Sequence, residues 1–178
     1  AGHVSSDPVE DLPCGENLTW ALSGSGVLTV SGQGAMHDCT FTAAYNTGNT
    51  PWHAQAKTIS SVIIEEGVTH IGSAAFMGCT SLTSVSLPRT LVSIGIDAFH
   101  DCFLLTGVNL PDSLISIGDW AFRANGLQEI SIPGSVLTIG DSAFFECAEL
   151  STVSFENGAE TIGPYAFYNT GLSRIHVP

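Results

Sequence analysis

The 178-residue chain has 4 basic and 17 acidic residues, which gives a formal net charge of −13. Binding to nucleic acid requires clustered positive charge, and the four cations are scattered along the chain, so the sequence excludes a nucleic-acid partner and disfavours anionic membrane surfaces. No apolar run approaches the length of a membrane-spanning helix, so no membrane insertion is expected. The length fits one domain, and a hydrophobic content of 44% fits a packed core.

The part of the chain that precedes Ile59 differs in character from the rest. Residues 1–13 are polar and predict a flexible N-terminus. Residues 14–58 predict a β-rich cap, because Leu18–Leu22 and residues 27–30 flank the turn sequence Ser-Gly-Ser-Gly in the manner of a β-hairpin. We expect this hairpin to cover the open end of the core that follows, at Ile59, Val62 and Ile64. Trp52 is expected to pack between the cap and that core.

Residues 59–178 consist of a short repeat, and its period of about 23 residues lies in the range typical of solenoids. Successive coils begin at Ile59, Leu82, Leu105, Leu127, Leu150 and Leu172, so the period varies by no more than one position. Such self-similarity predicts a solenoid, in which each coil buries its faces against its neighbours. The sequence therefore predicts five coils and a partial sixth, numbered here one to six.

The early part of each coil has the pattern of a strand followed by a turn. Leu82, Val85 and Leu87 have serines between them, which is the alternation expected of a strand with one buried face. A glycine follows in each complete coil: Gly72, Gly95, Gly118, Gly140 and Gly163. This glycine column predicts either a turn with positive φ or an approach between coils that leaves no room for a Cβ atom.

An Ala-Phe dipeptide comes next in every complete coil. Its phenylalanines are expected to stack as an aromatic ladder along the axis of the core: Phe76, Phe99, Phe122, Phe144 and Phe167. Ser73, Asp119 and Asp141 precede the dipeptide by two positions, which is typical of the N-cap of a short helical or 3₁₀ turn.

The columns L-x-x-V-x-L-P, V/L-x-x-I-G and A-F-x-x-C together resemble the BspA-like leucine-rich repeats of bacterial cell-surface and secreted proteins. Residues 14–36 are similar to the segment that caps many of these proteins. The resemblance implies an α/β-type solenoid, a right-handed leucine-rich-repeat coil with short strands, short helical or 3₁₀ turns and an N-terminal β-hairpin cap. It also implies a secreted or cell-surface location and a role in adhesion or protein binding, and it transfers no catalytic residue.

The five cysteines form two groups. Cys14 and Cys39 lie in the predicted cap and are candidates for a disulfide in an oxidising exterior. Cys79, Cys102 and Cys147 share one column of the repeat, which is typical of small, partly buried side chains, and free thiols are favoured there over a disulfide between coils.

No catalytic constellation is recognisable in the chain. None of the six histidines lies in a metal-binding motif, and no nucleophile elbow, phosphate-binding loop or dinucleotide fingerprint is present. The sequence therefore predicts no enzyme activity, no metal and no cofactor.

The column that follows the phenylalanine is the strongest candidate for a binding surface. Together with two nearby aromatic residues the candidate set is Met77, His100, Phe103, Trp120, Arg123, Phe145 and Tyr168. The alternative interpretation is that these side chains cover the core from outside. The residues between the buried positions of the strands are small and polar, so the strand face either suits a hydroxyl-rich ligand such as a glycan or is simply solvated.

Two functions fit these features. The first is a non-catalytic recognition module that binds a host or neighbouring-cell surface protein or glycan. The alternative is a passive structural spacer within a longer surface protein. The chain ends early in the sixth coil, on its predicted strand and without a polar capping segment, so we expect it to be a fragment of a longer protein.

Overall fold

The computed structural model describes residues 13–39 and 50–175; most of the predicted flexible N-terminus, part of the predicted cap and the last three residues lie outside these ranges. Within them the chain forms twelve strands and one short 3₁₀ helix, His53–Thr58. The strands are β1 Leu18–Leu22, β2 Val27–Gly32, β3 Gly34–Ala35, β4 Ser61–Ile64, β5 Val68–Ile71, β6 Ser84–Ser86, β7 Ser93–Ile94, β8 Ser116–Ile117, β9 Glu129–Ile132, β10 Thr138–Ile139, β11 Thr152–Phe155 and β12 Thr161–Ile162. No helix in these ranges is long and apolar enough to cross a bilayer.

The N-terminal hairpin begins the first sheet. β1 and β2 pair antiparallel around the Ser-Gly-Ser-Gly turn, which confirms the predicted hairpin. β2 then pairs in parallel with β4, with Leu28 opposite Val62, and β4 pairs with β6. The hairpin thereby continues the strand face of the coils and covers the first of them, because Leu28, Val30 and Val62 are all buried.

A second sheet runs the length of the solenoid. Its six short strands are ordered β12-β10-β8-β7-β5-β3 and every pair is parallel. Ser93 pairs with Ser116 and Ser116 with Thr138, so each residue lies beside its equivalent in the next coil of the sequence repeat. This register confirms the solenoid of stacked coils.

The core is organised around a column of stacked rings. Phe76, Phe99, Phe122, Phe144 and Phe167 stack with centroid separations of 5.2, 5.2, 5.4 and 5.1 Å, which confirms the predicted aromatic ladder. Trp52 adds a further ring, since it lies 5.5 Å from Phe76, and its indole Nε1–H donates to the carbonyl of Ala75 at 2.8 Å. Trp52 is buried between cap and coils, as expected.

The glycine column serves close packing between coils. A Cβ atom on Gly118 would lie 2.7 Å from the carbonyl carbon of Gly95, and one on Gly140 would lie 2.5 Å from the backbone nitrogen of Asp119. The alternative expectation of positive φ at these glycines is wrong. Positive φ occurs instead at two other positions of each coil, two before and two after the phenylalanine, and non-glycine residues occupy most of them.

The segments around the Ala-Phe dipeptide are successive turns, and within the described ranges no helix forms in the coils. The prediction that Ser73, Asp119 and Asp141 cap short helical turns therefore requires correction. Asp119 accepts through Oδ1 from the backbone N–H of Asp141 in the next coil, at 2.8 Å. Asp38 likewise accepts from the N–H and hydroxyl of Ser73, both at 2.7 Å. Asp119 therefore joins two neighbouring coils and Asp38 joins the cap to the first coil, because the turns direct backbone groups along the solenoid axis.

The cysteine column also joins coils. The Cys102 thiol donates to the carbonyl of Phe76 at 3.3 Å, and the Cys147 thiol donates to that of Phe122 at 3.0 Å. Asn125 fills the same column and donates to Phe99 at 2.7 Å. Burial raises the pKa of Cys79 to about 12 and that of Cys147 to about 11, so these free thiols remain protonated.

Candidate functional site

Two columns of outward side chains lie side by side on the turn side of the solenoid. The first column consists of the residues that lie two positions before each phenylalanine of the aromatic ladder. The second column consists of the residues that immediately follow each of these phenylalanines. The backbone N–H of Arg123 donates to the carbonyl of Trp120 at 3.0 Å, and that of Tyr168 donates to Tyr165 at 2.9 Å. The same turn therefore brings the two columns together in successive coils.

Aromatic and arginine side chains from three coils meet where these columns pass over the C-terminal half of the solenoid. The rings of Phe145 and Tyr168 stack at 5.5 Å, and Tyr165 meets Tyr168 edge-on at 5.7 Å. The guanidinium of Arg123 lies 5.4 Å from the Phe145 centroid. Together with Trp120, which lies one turn before Arg123, these five residues form a surface that we call the aromatic ledge.

An ion pair fixes Arg123 on the aromatic ledge. Its Nη2 lies 3.1 Å from Oε2 of Glu146 in the next coil. The guanidinium is thus held between a carboxylate and an aromatic ring, which orients its remaining N–H groups without hiding them.

The backbone beneath the aromatic ledge is strained. Trp120 and Tyr165 have φ of 55° and 58°, in the left-handed region that bulky residues rarely adopt. Their side chains are nonetheless 44% and 66% exposed, and Tyr168 is 59% exposed. These aromatic groups contribute little to the core and occupy backbone positions that disfavour them, which is a pattern found at functional sites.

The structure divides the candidate residues predicted from sequence. Trp120, Arg123, Phe145 and Tyr168 come together on the aromatic ledge. His100 lies in the same column but is half-buried, with Nδ1 2.9 Å from Asp97 and Nε2 3.4 Å from Asp101. Met77, at the N-terminal end of the column, is also half-buried.

Phe103 lies in a different column from the aromatic ledge, four positions after the ladder phenylalanine. It is 53% exposed, as is its neighbour Leu104. The two form a separate apolar projection on the second coil.

Tyr165 belongs to the aromatic ledge but is absent from the candidate set drawn from the sequence. The sequence does carry the signal, because Tyr165 and Trp120 share a column and both immediately precede the Ala-Phe dipeptide.

The two cap cysteines line one small cavity of about 240 Å³ with Met36, Trp52 and Ala75. Both are free thiols in this structure. Burial and the nearby Asp38 carboxylate raise the pKa of Cys39 to about 11, and burial raises the pKa of Cys14. The disulfide between them stays a prediction.

The described part of the chain was searched for side chains that could together bind a metal ion. There, no three histidine, cysteine, aspartate or glutamate side chains are grouped so that they could hold a metal ion.

Comparison with known proteins matches the repeat to one family. A family model described as the BspA type leucine-rich repeat region matches residues 53–178 in six copies. None of the curated proteins compared with this chain matches it.

Three crystal structures illustrate the likeness of fold. A leucine-rich repeat protein from Eubacterium ventriosum is 30% identical over 81% of this chain and 43% of its own, with a TM-score of 0.63. A leucine-rich cell surface protein from Faecalibacterium prausnitzii is 27% identical over 92% of this chain and 48% of its own, with a TM-score of 0.65. A leucine-rich repeat protein of T. pallidum is 29% identical over 78% of this chain and 68% of its own, with a TM-score of 0.55. This chain therefore spans less than half the length of the first two.

Proposed function

Because the chain belongs to the BspA-type leucine-rich repeat family, we propose that it is a non-catalytic recognition module that binds a protein on a host or neighbouring cell through the aromatic ledge. Solenoid repeats build extended surfaces on which each coil adds one side chain per column. Such surfaces suit binding better than catalysis, since they place groups in rows.

The composition of the aromatic ledge carries this proposal. Trp, Tyr and Arg are the residue types that dominate the energetics of protein–protein interfaces. The aromatic ledge contains all three: Tyr168 stacks on Phe145 of the preceding coil and meets Tyr165 edge-on, and Glu146 holds the arginine in place. Pre-ordered side chains lose less conformational entropy on binding, which favours affinity.

The exposed aromatic residues of the aromatic ledge also favour a recognition module over a passive spacer. A spacer requires only buried columns and a solvated surface. Exposed aromatic side chains at Trp120 and Tyr165 cost backbone strain that Asn or Gly would avoid, and they add little burial in return. A binding role gives these residues a physical reason to be there.

An extracellular location is part of the proposal. It is supported by family membership and by the relative from Faecalibacterium prausnitzii, which is described as a cell surface protein. The scarcity of basic residues fits a partner surface that is apolar or positively charged better than one that is anionic.

The test is surface plasmon resonance of the chain against a panel of purified extracellular-matrix and serum proteins. We expect saturable binding to at least one protein, and a loss of about tenfold or more in affinity for Tyr165→Ser/Tyr168→Ser. The matched control is Phe103→Ser/Leu104→Ser, which removes a similar exposed apolar area outside the aromatic ledge and should leave affinity within about twofold.

Two outcomes contradict the proposal. Absence of saturable binding across the panel would favour the spacer. Loss of binding in the Phe103/Leu104 variant, with the tyrosine variant unaffected, would move the contact surface off the aromatic ledge.

A further inference from the structure

The strand face is interrupted at the third coil. β6 in the second coil is the edge of the first sheet, and β9 in the fourth coil is the edge of a separate sheet formed with β11. Residues 107–110 lie between them and belong to no strand. Within the described ranges, the peptide groups of these four residues make no hydrogen bond to either neighbouring coil.

The local sequence explains the interruption. The second coil reads Leu-Thr-Ser-Val-Ser-Leu-Pro from residue 82, and the third reads Leu-Thr-Gly-Val-Asn-Leu-Pro from residue 105. Gly107 and Asn109 thus replace two serines, and glycine and asparagine are both unfavourable in strands. Val108 remains buried, so the coil keeps its core contact while its backbone ladder opens.

A groove of about 620 Å³ lies over this interruption, and we call it the strand groove. It extends across the second to fifth coils, a length of roughly 15 Å at about 4.8 Å per coil. Small side chains form its floor and walls: Thr83, Ser84, Ser131, Thr152 and Ser154. Its lining contains no aromatic ring, so a sugar would find no stacking platform there.

The charges around the strand groove have one sign. Asp112, Glu129 and Glu156 line it and are exposed, and the lining includes no lysine, arginine or histidine. Glu156 accepts from the backbone N–H of Gly134 at 3.0 Å, which fixes one carboxylate at the edge of the groove. The other two form no ion pair within the described residues.

We propose that the strand groove binds an extended, lysine- or arginine-rich peptide segment of a partner protein. The peptide groups of residues 107–110, which are not bonded to the neighbouring coils, offer main-chain donors and acceptors, the groups that hold extended peptides at sheet edges. The carboxylates select positive side chains, and the small serine and threonine side chains leave room for the backbone. This site is separate from the aromatic ledge and does not rest on the function proposed there.

The experiment uses a fluorescein-labelled peptide of alternating lysine and serine, with fluorescence anisotropy for affinity and amide hydrogen exchange for location. We expect the amides of residues 107–110 to exchange rapidly in the free protein and to become protected when the peptide binds. Asp112→Asn/Glu129→Gln should weaken binding about tenfold at low salt. Glu149→Gln/Glu160→Gln removes the same charge from exposed positions outside the groove and should change affinity less than twofold.

A second variant tests the backbone directly. Gly107→Ser/Asn109→Ser makes residues 105–111 identical to the paired segment 82–88. We expect it to restore the ladder, protect the amides of residues 107–110 without peptide and weaken peptide binding about tenfold. Melting temperatures confirm that each variant is folded, and Tyr165→Ser/Tyr168→Ser should bind the peptide as the unmodified chain does.

Four results overturn the proposal. The amides of residues 107–110 are already protected in the free protein. Both charge variants weaken binding equally, which indicates general attraction between a polycation and an acidic protein. Peptide-induced protection appears elsewhere. An uncharged oligosaccharide such as cellohexaose protects these amides and the peptide does not, which makes the strand groove a glycan site.

Discussion

Trp120 and Tyr165 occupy a backbone position that the other coils fill with Ala74, Asp97 and Ser142. All five have φ between 54° and 58°, so the turn imposes the left-handed conformation whatever the side chain. Small or polar residues adopt the left-handed conformation at a lower cost in free energy than large aromatic residues do. We therefore expect that replacing either aromatic residue impairs the proposed binding without lowering the stability of the fold.

We predict that Trp120→Asn leaves the free energy of unfolding unchanged or raises it by up to about 1 kcal/mol, because asparagine tolerates positive φ. Urea denaturation measures this effect. Ile96→Asn, at an equally exposed position without positive φ, is the control and should bring no such gain. A loss of more than about 2 kcal/mol for Trp120→Asn would show that the indole has a structural role, since surface substitutions normally change stability far less.

Asp38 should give part of the stability a dependence on acid pH. Hydrogen bonds from the backbone and hydroxyl of Ser73 lower the pKa of this carboxyl, so its contribution is complete above about pH 4 and is lost as the pH falls through the lowered pKa. We expect Asp38→Asn to reduce stability by about 0.5 kcal/mol at pH 7, a value kept small by solvent screening. Denaturation at several pH values should show the two proteins converging below about pH 4; a constant difference would contradict this assignment.

At the scale of the element, each coil is held to its neighbours by groups that point along the axis. The glycine column lets backbones meet, the cysteine column donates to carbonyls of the preceding coil, and Asp119 accepts from the next one. A short helix would keep its hydrogen bonds within one coil. In the observed turns only alternate bonds stay within the coil, as from the Arg123 N–H to Trp120, and the others cross to the next coil, as from the Phe122 N–H to Ala143. This alternation is why no continuous helix forms in the coils.

We predict that Gly118→Ala destabilises the chain by about 1–3 kcal/mol, because the new Cβ meets the backbone of Gly95 in the second coil at 2.7 Å. Gly107→Ala is the matched control, since nothing lies within 4 Å of its Cβ position. That control should be neutral or stabilising by up to about 1 kcal/mol. Equal effects of the two substitutions would refute close approach as the function of the glycine column.

The cap cysteines provide a second prediction for an element. Cys14 and Cys39 line the same cavity, and we expect them to form a disulfide when the chain is made in an oxidising compartment. Mass spectrometry under denaturing, non-reducing conditions should find three alkylated thiols and a mass lower by two hydrogen atoms. The bond should raise stability by about 3 kcal/mol relative to Cys14→Ser/Cys39→Ser. Five alkylated thiols would disprove the bond.

Across the whole molecule, stability is distributed along the ring column that runs from Trp52 to Phe167. Phe122 is fully buried and stacks on both faces, against Phe99 and Phe144. Phe167 is partly exposed and stacks on Phe144, with Phe155 against it edge-on. In a solenoid each coil contacts only its neighbours, so a change in a central coil disturbs two interfaces.

We predict a loss of about 3–5 kcal/mol for Phe122→Ala and about half as much for Phe167→Ala, measured by urea denaturation. Amide exchange should then report the location of the damage: central coils for the first variant, the fifth coil for the second. Equal losses of stability in the two variants would show that the contribution of a coil to stability does not depend on how deeply its phenylalanine is buried.

Much of the fold follows from the sequence because a solenoid repeats its contacts with its period. Residues one period apart in sequence become neighbours, so the ladder from Phe76 to Phe167 could be predicted from columns alone. The close approach at Gly118 was one of two alternatives that the glycine column left open. The hairpin of β1 and β2 was predictable from its turn residues. Trp120, Arg123, Phe145 and Tyr168 were recognisable as outward candidates for the same reason.

The tertiary structure decided what those columns do. It placed positive φ beside the glycines instead of on them, directed Asp119 to the next coil, and separated Phe103 from the aromatic ledge while adding Tyr165 to it. It also opened the ladder at Gly107 and Asn109. Periodicity determines which residues become neighbours. The path of the backbone determines the direction of each peptide group, and therefore whether that group bonds to the next coil or stays free to bind a partner.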